Sequence, residues 1–331
     1  MLAIVVTWSL TPFLRRYLVA HGIVDRPDLR RSHAVTTPRG GGISIAAALL
    51  CVLVLLWPSY TEAPALAALV LGLAGLGWLD DRFCLAVRWR LLIQAGIALS
   101  LLVWLGGLEA IAIGHFVVHQ PWLWSALALV AVIWLINLHN FMDGSDGLAS
   151  VQGIWCGLMF GSLFAWSGHS FPAIVAFSLA AACLGFLHWN RPTARIFMGD
   201  TGSILLGGIV AWLALLGAVS GSISVWQSLM ICSLFVVDAT ATLLARLARG
   251  ERWYTPHRQH AYQRLIDSGW SHGRVLVLYG LLKGLVVLPF VLAGWYLVGW
   301  DVWLAAGLIA LLAAGWWRVQ SAFTGEYTTH G

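Results

Sequence analysis

Acidic residues near the ends of long apolar segments are the most informative chemical feature of this sequence. The chain has 331 residues, of which only 14 are acidic. Six of these lie where apolar runs begin or end, namely Asp80, Asp81, Asp143, Asp146, Asp200 and Asp238. An ionised carboxylate beside hydrocarbon costs several kcal/mol unless it meets water, a cation or a metal. Any one of them could simply cap a helix or face water, but all six together indicate a shared polar cavity.

Asp80 and Asp81 are adjacent and follow an apolar run directly. Neighbouring carboxylates repel each other unless a proton, a cation or a metal compensates. The pair therefore suits either a proton acceptor or a metal-organising site, although acidic pairs are also common in loops.

A second polar segment follows another apolar run. Asn137, Asn140 and Asp143 recur every three residues, so we expect them on one face of a helix that leaves the membrane. Gly144 and Gly147 permit a tight turn with exposed N–H groups. Amides, carboxylates and free backbone donors suit a nucleotide or a hydrated metal. The alternative is a loop that is stabilised by Asx turns.

A third segment, residues 190–203, leads into an apolar helix. Asp200 or Thr201 fits the N-cap position of this helix. The glycine-rich backbone would present N–H groups and the positive end of the helix dipole to phosphate. Arg191 and Arg195 could add charge-assisted bonds to a diphosphate. The spacing of a P-loop is absent.

The longest polar loop, residues 245–274, contains His257, Arg258 and His260. These side chains could bind phosphate, or the two histidines could ligate a metal, although the lack of nearby cysteines disfavours zinc. Membrane topology would explain arginines in such a loop, but it would not explain the histidine pair. A smaller segment around Arg39 adds a cation and a glycine-rich turn before the second apolar run.

Membrane helices are the elements that must position these residues. Hydrophobic residues make up 60% of the chain and charged residues only 10%, with a mean hydropathy of +0.83, whereas soluble domains are about a quarter charged. We therefore predict an all-α polytopic membrane protein, with one transmembrane domain over 1–331. Runs that suit a bilayer core of ~30 Å give ten or eleven spans. We place eleven at 2–19, 43–57, 63–79, 91–108, 121–138, 150–167, 171–189, 202–219, 225–244, 275–298 and 302–317.

The uncharged run from Gly202 to Val237 is too long for one crossing, and the natural turn within it is at 220–222. Alternate connections between the spans then differ sharply in charge. The segments on one side hold 16 of the 19 Lys and Arg residues, and the segments on the other side hold none. Because cytoplasmic loops are rich in Lys and Arg, the N-terminus is predicted outside and the C-terminus in the cytoplasm. The predicted cytoplasmic loops that carry the motifs are 20–42, 80–90, 137–149, 190–201 and 245–274.

The net charge of +5 does not indicate a nucleic-acid partner, because the same topological rule explains the excess of arginine. The five cysteines have no CxxC spacing, so neither a disulfide framework nor a zinc site is implied.

Taken in order, the motifs resemble those of the polyprenyl-phosphate N-acetylhexosamine-1-phosphate transferases. That family includes the enzymes that initiate O-antigen and enterobacterial common antigen synthesis, and the phospho-MurNAc-pentapeptide translocase of peptidoglycan synthesis. The matching elements are Arg30-x-x-His33 with Pro38-Arg39-Gly-Gly-Gly42, Leu79-Asp80-Asp81-Arg82, Asn137-x-x-Asn140-x-x-Asp143-Gly-x-Asp146-Gly-Leu148, Asn190-Arg-Pro with Phe197-Met-Gly-Asp200-Thr-Gly-Ser203, and His257-Arg-Gln-His260.

The resemblance implies a reaction and a cellular location. A phosphate oxygen of undecaprenyl phosphate attacks the β-phosphorus of a UDP-N-acetylamino sugar, giving undecaprenyl-diphospho-sugar and UMP with Mg²⁺, or Mn²⁺, as cofactor. The protein would lie in the bacterial inner membrane, among membrane lipid, with the site facing the cytoplasm. Whether transfer is direct or passes through an aspartyl intermediate stays open. A homodimer is also possible.

The resemblance also implies residue roles. Asp80 and Asp81 would be catalytic and would organise or deprotonate the acceptor phosphate. Asp200 would ligate the metal, with a contribution from Asp146, and Phe197 would stack on uracil. The remaining substrate-binding residues would be Arg39, Asn137, Asn140, Asp143, Gly147, Leu148, Asn190, Arg195, His257, Arg258 and His260.

Two departures from the family patterns bear on the donor sugar. Peptidoglycan translocases carry a third Asp where this chain has Arg82, and a three-histidine run where it has His257-Arg-Gln-His260. This weighs against a pentapeptide donor. The His-Ile-His-His run that is frequent in the antigen-initiating branch is also absent, so GlcNAc, FucNAc and QuiNAc donors stay open.

A transporter or lipid flippase is the competing class, but such proteins favour polar groups near the bilayer midplane.

Overall fold

The computed structural model describes residues 1–25, 36–252, 254–255 and 257–324. The Arg30-x-x-His33 motif lies outside these residues. The helices are α1 Leu2–Ala20, α2 Gly42–Leu56, α3 Ala63–Phe83, α4 Val87–Leu105, α5 Pro121–Phe141, α6 Leu148–Trp166, α7 Ser170–Asn190, α8 Gly199–Ser220, α9 Val225–Ala248, α10 Ala261–Asp267, α11 His272–Leu281, α12 Leu288–Tyr296 and α13 Asp301–Thr324.

The remaining regular structure is small. A π-helical segment, Leu282–Val287, joins α11 to α12. Two antiparallel strand pairs are present, β1 Val24–Asp25 with β2 Thr37–Pro38 and β3 Ala110–Ile113 with β4 Phe116–His119. The β3–β4 hairpin was not predicted, because the sequence analysis treated residues 109–120 only as a connection.

The predicted all-α membrane architecture is confirmed. Within the described ranges, ten helical segments are long and apolar enough to cross a membrane, with α11 to α12 counted as one, and α2 is a shorter apolar helix. Each of the eleven predicted spans coincides with one of these segments. The long uncharged run divides at the predicted turn, where α8 ends at Ser220 and Gly221 adopts a left-handed conformation. Ser224 then accepts a hydrogen bond from the Gln227 N–H at the start of α9.

Several helices extend beyond the hydropathy-based spans at their polar ends. Helix α3 continues through Asp80 and Asp81 to Phe83, and α4 begins at Val87 rather than at residue 91. Hydropathy ends a span at the first charged residue, whereas a helix continues as long as its polar side chains find partners. At the end of α3, the carboxylates of Asp80 and Asp81 both have hydrogen-bond partners.

Helix α8 lies at the centre of the bundle and is the most buried of the ten candidate spans. It packs against α2, α3 and α5. Glycines permit the close approach, because a side chain on Gly42 would overlap the backbone of Gly202, and one on Gly77 would overlap Asp200. Small residues at helix contacts are typical of membrane bundles. Here they bring the ends of α2 and α3 onto the first turn of α8.

Candidate active site

Four aspartates from three different parts of the chain meet at one end of the bundle. We call Asp80 and Asp81 at the end of α3, Asp143 after α5 and Asp200 in the first turn of α8 the carboxylate cluster. Asp80 and Asp200 lie within hydrogen-bonding reach of each other. The predicted shared cavity therefore has a structural counterpart in these four residues.

Asp81 is bound to the start of α8. Its carboxylate accepts hydrogen bonds from the backbone N–H groups of Asp200 and Thr201, both at 2.9 Å, and from the Thr201 hydroxyl at 2.7 Å. The Nε atom of Arg39 lies 2.8 Å from the same carboxylate. Asp81 thus satisfies N–H groups at the N-terminus of α8, which the sequence analysis had assigned to phosphate. Asp200 is not the N-cap, because Met198 occupies that position.

Asp200 is held by side chains from two other elements. Its carboxylate pairs with the guanidinium of Arg39 and accepts a hydrogen bond from the Asn140 amide at 2.8 Å. The Asn140 amide also lies 3.0 Å from the Ser203 hydroxyl, one turn along α8. These contacts bring the predicted residues Arg39, Asn140 and Asp200 together.

Asp80 faces the beginning of α4. Its carboxylate forms an ion pair with Arg90 at 2.7 Å and accepts the backbone N–H of Leu85 at 2.8 Å. One turn after Arg90, Gln94 accepts a hydrogen bond from the Asn137 amide at 2.6 Å. The sequence analysis missed Arg90 and Gln94. The available signal was their spacing of four residues, which places two polar side chains on one face of an apolar helix.

Asp143 lies past the end of α5, so it does not share a helical face with Asn137 and Asn140 as predicted. Burial raises the pKa of Asp143 well above its usual value. The Arg39 cation opposes this rise, and the carboxylates of Asp200 and Asp81 add to it. For Arg39, burial lowers the pKa, but the same two carboxylates outweigh burial and raise it.

The charges and donor atoms of the cluster fit a divalent cation. Four carboxylates face two guanidinium groups, those of Arg39 and Arg90, which leaves an excess of two negative charges when all four are ionised. Carboxylate oxygens are the ligands that Mg²⁺ favours. Across the described part of the chain, however, no three His, Cys, Asp or Glu side chains are already arranged as a metal site. The arrangement supplies charge and oxygen atoms, but not a preformed cage.

Asp146 belongs to a different group of contacts from Asp200. Its carboxylate accepts the backbone N–H of Ala194 at 2.9 Å and lies 3.9 Å from His272 Nδ1. The structure therefore does not support the expected pairing of Asp146 with Asp200 at one metal. His272, on α11, was also missed. It lies 126 positions after Asp146, and no sequence pattern connects the two residues.

Asn190 joins the start of α6 to the segment before α8. Its side-chain oxygen accepts from the backbone N–H of Gly147 at 3.1 Å and the Ser150 hydroxyl at 2.9 Å, and its amide donates to the Ile196 carbonyl at 3.0 Å. Leu148 is fully buried in the apolar core. Within this part of the predicted site, Asn190 and Leu148 hold the backbone in place.

Phe197 lies beside Arg39 in a short parallel bridge. Its N–H donates to the Pro38 carbonyl and its carbonyl accepts from Gly41, both at 2.9 Å, and its side chain is half-buried. Arg195 is exposed, and its guanidinium lies over the Trp189 ring, 5.8 Å from the centroid. The structure thus places the Phe197 backbone beside Arg39 and exposes Arg195 at the surface.

His257 and His260 lie close together, with ring centroids 4.8 Å apart. His260 Nδ1 is 3.6 Å from the buried carboxylate of Asp238. The pKa of His257 is lowered to about 4, mainly by burial and then by the neighbouring His260 and Arg246. Arg258 forms an ion pair with Asp267 at 2.6 Å, at the surface. The two histidines are therefore brought together, and Arg258 is directed elsewhere.

A cavity of about 560 Å³ is lined by these two histidines and by Arg90, the ion-pair partner of Asp80. We call it the near cavity. Its polar lining includes Arg90, Asn137, His257 and His260. Its apolar walls come from α4, α5 and α9, and include Leu91, Val130, Ile133, Trp134, Ala239 and Leu243. The cavity therefore combines the Arg90 cation and several polar groups with an apolar wall along membrane helices.

Comparison with known proteins places this arrangement in a family. Residues 63–218 match the model of glycosyl transferase family 4. The chain is 31% identical over 313 residues to a probable undecaprenyl-phosphate N-acetylglucosaminyl 1-phosphate transferase of Bacillus subtilis (strain 168), covering 92% of this chain and 85% of that protein.

Two further relatives cover similar lengths. An undecaprenyl-phosphate alpha-N-acetylglucosaminyl 1-phosphate transferase of Escherichia coli (strain K12) is 30% identical over 293 residues, covering 85% of this chain and 79% of the relative. A phospho-N-acetylmuramoyl-pentapeptide-transferase of Synechococcus sp. (strain JA-2-3B'a(2-13)) is 34% identical over 318 residues, with 88% of each chain covered. With its multi-pass fold and its carboxylate cluster, the chain belongs to the glycosyl transferase family 4 enzymes that transfer sugar 1-phosphates to polyprenyl phosphates.

Proposed function

We propose that this enzyme transfers an N-acetylamino-sugar 1-phosphate from a UDP-sugar to undecaprenyl phosphate and releases UMP. The observation that carries the proposal is the near cavity, which joins an apolar wall to Arg90 beside the carboxylate cluster. A lipid phosphate likewise combines an apolar chain with an anionic head group. The product would initiate a cell-surface polysaccharide such as lipopolysaccharide O-antigen.

The acceptor phosphate would bind at the polar end of the near cavity. Arg90, Asn137 and His260 line that end and supply a guanidinium, an amide and an imidazole for phosphate oxygens. The first isoprene units would lie against Leu91 and Leu243. A phosphate bound by Arg90 would compete with Asp80 for the guanidinium, and this competition would free the Asp80 carboxylate.

Asp80 is then the better candidate for the proton acceptor. It would take a proton from the acceptor phosphate while a phosphate oxygen bonds to the β-phosphorus of the donor. The bond between the β-phosphorus and the oxygen that bridges to the uridine phosphate breaks, and UMP leaves. Asp81 already accepts three hydrogen bonds from Asp200 and Thr201, so we assign it to holding α8 in place.

Asp200 is the residue we propose as the principal Mg²⁺ ligand, with Asp80 and Asp143 as the nearby carboxylates and Mn²⁺ as a substitute ion. When bound, the metal would neutralise charge on the diphosphate oxygens. Arg39 pairs with both Asp81 and Asp200, so it would orient the carboxylates before the ion binds. Asp146, with Gly147 and Asn190, would shape the uridine pocket, and Phe197 would stack on uracil.

For the donor sugar we propose GlcNAc or a 6-deoxy relative such as FucNAc or QuiNAc. Arg82 follows the aspartate pair, and His257-Arg-Gln-His260, which we call the histidine segment, lacks a three-histidine run. The relatives in the comparison include both GlcNAc-type and MurNAc-pentapeptide-type transferases. A direct assay is therefore needed to distinguish the two donor classes.

The test is UMP release by the purified protein in detergent with undecaprenyl phosphate and Mg²⁺. A panel of UDP-GlcNAc, UDP-FucNAc, UDP-QuiNAc and UDP-MurNAc-pentapeptide covers the donor classes. We expect turnover with one of the first three, no turnover with the pentapeptide, and loss of activity in EDTA that added Mg²⁺ restores. UMP release with the pentapeptide alone would overturn the sugar assignment, and no UMP release with any donor would overturn the function.

The active site is proposed to face the cytoplasm, on the basis of the Lys and Arg distribution. After replacement of the two exposed cysteines, Cys51 and Cys84, by serine, single cysteines at Ser222 and Arg252 give a direct test. An impermeant thiol reagent added to intact cells should label Ser222→Cys and should not label Arg252→Cys. The reverse pattern would place the site outside, where UDP-sugars are absent.

A further inference from the structure

Lys283 is a charge in the middle of the membrane that the proposed reaction does not use. It is the only lysine of the chain, and it is buried near the centre of the apolar segment His272–Tyr296. Among the described residues its Nζ atom has no hydrogen-bond partner, and it lies 5.4 Å from the centroid of the Phe235 ring. An ammonium at this depth is costly, so its presence indicates a functional site.

The backbone is irregular at the same point. Lys283 is the second residue of the π-helical segment Leu282–Val287, whereas α11 before it and α12 after it are regular α-helices. A π-helical turn inside an α-helix is uncommon and is frequent at functional sites. The irregular turn and the buried charge therefore coincide.

Two buried thiols are the electrostatic partners of Lys283. Cys156 of α6 and Cys232 of α9 both act on the ammonium, and the two thiols lie within hydrogen-bonding reach of each other. The residues before them hold α6 and α9 in this register, because the Trp155 indole N–H donates to the Ile231 carbonyl at 2.9 Å. The thiols therefore face each other across a fixed helix contact.

The surroundings of Cys156 are those of a reactive thiol. The Gln152 amide donates to its sulfur at 3.2 Å, and the His139 ring lies within hydrogen-bonding reach of it. His139 Nδ1 donates to the Leu135 carbonyl at 2.8 Å, so in a neutral ring Nε2 carries the lone pair that can take the thiol proton. The thiolate is the nucleophilic form of cysteine, and cations and N–H donors nearby stabilise it.

Cys232 can be reached from the membrane. It lies on the wall of a second cavity, of about 380 Å³, between α5, α8 and α9. Among the described residues that line this cavity, none is charged. Leu127 and Ala131 of α5 are on its lining and are exposed at the surface of the bundle. An apolar reagent can therefore reach the Cys232 thiol from the lipid, whereas an ion is disfavoured.

We propose that Cys156 and Cys232 are a thiol pair that an apolar hydroperoxide, such as that of an oxidised membrane lipid, converts to a disulfide. The Cys232 thiolate attacks the terminal peroxide oxygen. An S–O bond forms, the O–O bond breaks, and the alkoxide takes a proton and leaves as an alcohol. The Cys156 thiolate then attacks the sulfenic sulfur, so that the S–S bond forms and the S–O bond breaks.

The reaction balances without a further reagent. Hydroxide leaves in the second step and becomes water, so the two thiol protons end on the alcohol and on that water. The two sulfurs lose the two electrons that the peroxide gains. Lys283 has a role in both steps, because its ammonium stabilises the attacking thiolate and the leaving oxyanion.

Oxidation of the purified enzyme in detergent by cumene hydroperoxide tests the proposal. After full reduction and removal of the reductant, peptide mapping should find a Cys156–Cys232 disulfide that dithiothreitol reverses. Cys51, which is exposed on α2, is the internal control for an ordinary thiol in the micelle. We expect Cys232 to be consumed about tenfold faster than Cys51, because Lys283 stabilises its thiolate.

Three substitutions separate the pair from its surroundings. Lys283→Met keeps a long side chain but removes the charge, so the disulfide should form about tenfold more slowly. Cys183→Ala is the matched control, because Cys183 is also a buried free thiol but is not part of the pair, and it should leave the rate unchanged. In Cys156→Ser the reaction should stop at a sulfenic acid on Cys232, which dimedone traps.

Three results would overturn the proposal. They are oxidation of Cys232 no faster than that of Cys51, a disulfide between Cys156 and Cys183 instead, and an unchanged rate in Lys283→Met. Trapping in Cys156→Ser keeps the proposal testable even if Lys283→Met does not fold. UMP release is measured separately, so a wild type that forms the disulfide but releases no UMP would refute the proposed function alone.

Discussion

The carboxylate cluster and the histidine segment hold charge near hydrocarbon in the same way, but a different group lies beside the buried acid in each. At the cluster, Asp81 accepts the backbone N–H groups at the start of α8. At the histidine segment, Asp238 accepts those of Ala261 and Tyr262 at the start of α10, at 2.8 and 3.4 Å. In both regions a buried aspartate anchors a helix N-terminus.

The two regions differ in the residue that lies beside the anchoring aspartate. Next to Asp81 is Asp200, an anion that pairs with Arg39. Next to Asp238 is His260, which lines the near cavity. A buried acid in this enzyme is therefore not automatically a reacting group. The anchors should be recognised by loss of stability on substitution, and the neighbours by loss of turnover.

The largest effect is expected at Asp200. Asp200→Asn keeps a group that can accept from Asn140, so the protein should fold and insert normally. It removes the negative charge that a hard cation requires, so UMP release should fall by about a thousandfold. Glu62→Gln, at an exposed carboxylate far along the chain from every motif, should retain full activity. Near-normal turnover in Asp200→Asn would refute the metal assignment.

Asp81→Asn should affect stability as well as activity. An amide has one oxygen for three donors, and its NH₂ group would face the N–H groups of α8. The substitution also weakens the ion pair with the partly exposed Arg39, so the thermal midpoint in detergent should fall clearly below those of wild type and Asp200→Asn. If Asp81→Asn were as stable as wild type but inactive, Asp81 would be a reacting group and its comparison with Asp238 would fail.

The sequence predicted the membrane helices well because hydropathy is a local property of the chain. The turn at 220–222 and all eleven apolar segments were found in this way. It also predicted that the end-of-helix carboxylates converge, and Asp80, Asp81, Asp143 and Asp200 do so. Asp146 and Asp238, which were predicted to share the same cavity, instead contact Ala194 and Ala261.

The pairing within that set could not be predicted. Asp81 and Thr201 are 120 positions apart, and no spacing rule connects them. For the same reason Asp146 was grouped with Asp200, although its contacts are to Ala194 and His272. The three-residue spacing that includes Asp143 was misleading because α5 ends at Phe141, so helical periodicity no longer applies.

A smaller effect on turnover is expected at Asp238, acting through His260. Besides the loss of stability expected of an anchor, Asp238→Asn should lower kcat/KM for the acceptor about tenfold, because it changes the group that faces His260 Nδ1. Tyr279→Phe is the matched control, since the Tyr279 hydroxyl donates to the same carboxylate at 2.9 Å and does not line the near cavity. Tyr279→Phe should leave kcat/KM for the acceptor unchanged. If the two positions act together, Asp238→Asn combined with His260→Gln should be no worse than His260→Gln alone.

The smallest effect concerns pH and His257. The pKa of His257 in the folded protein is about 4, below the ~6.5 of an unperturbed histidine. The unfolded chain therefore takes up this proton first as pH falls, so His257 costs stability progressively below about pH 6.5, with the full cost reached below about pH 4. Because the ring is only partly buried, we expect this cost to be about 1 to 2 kcal/mol. Chemical denaturation of His257→Gln at pH 7.5 and pH 4.5 should show a smaller loss of stability than wild type. An identical loss in both proteins would mean that His257 titrates normally and is open to solvent.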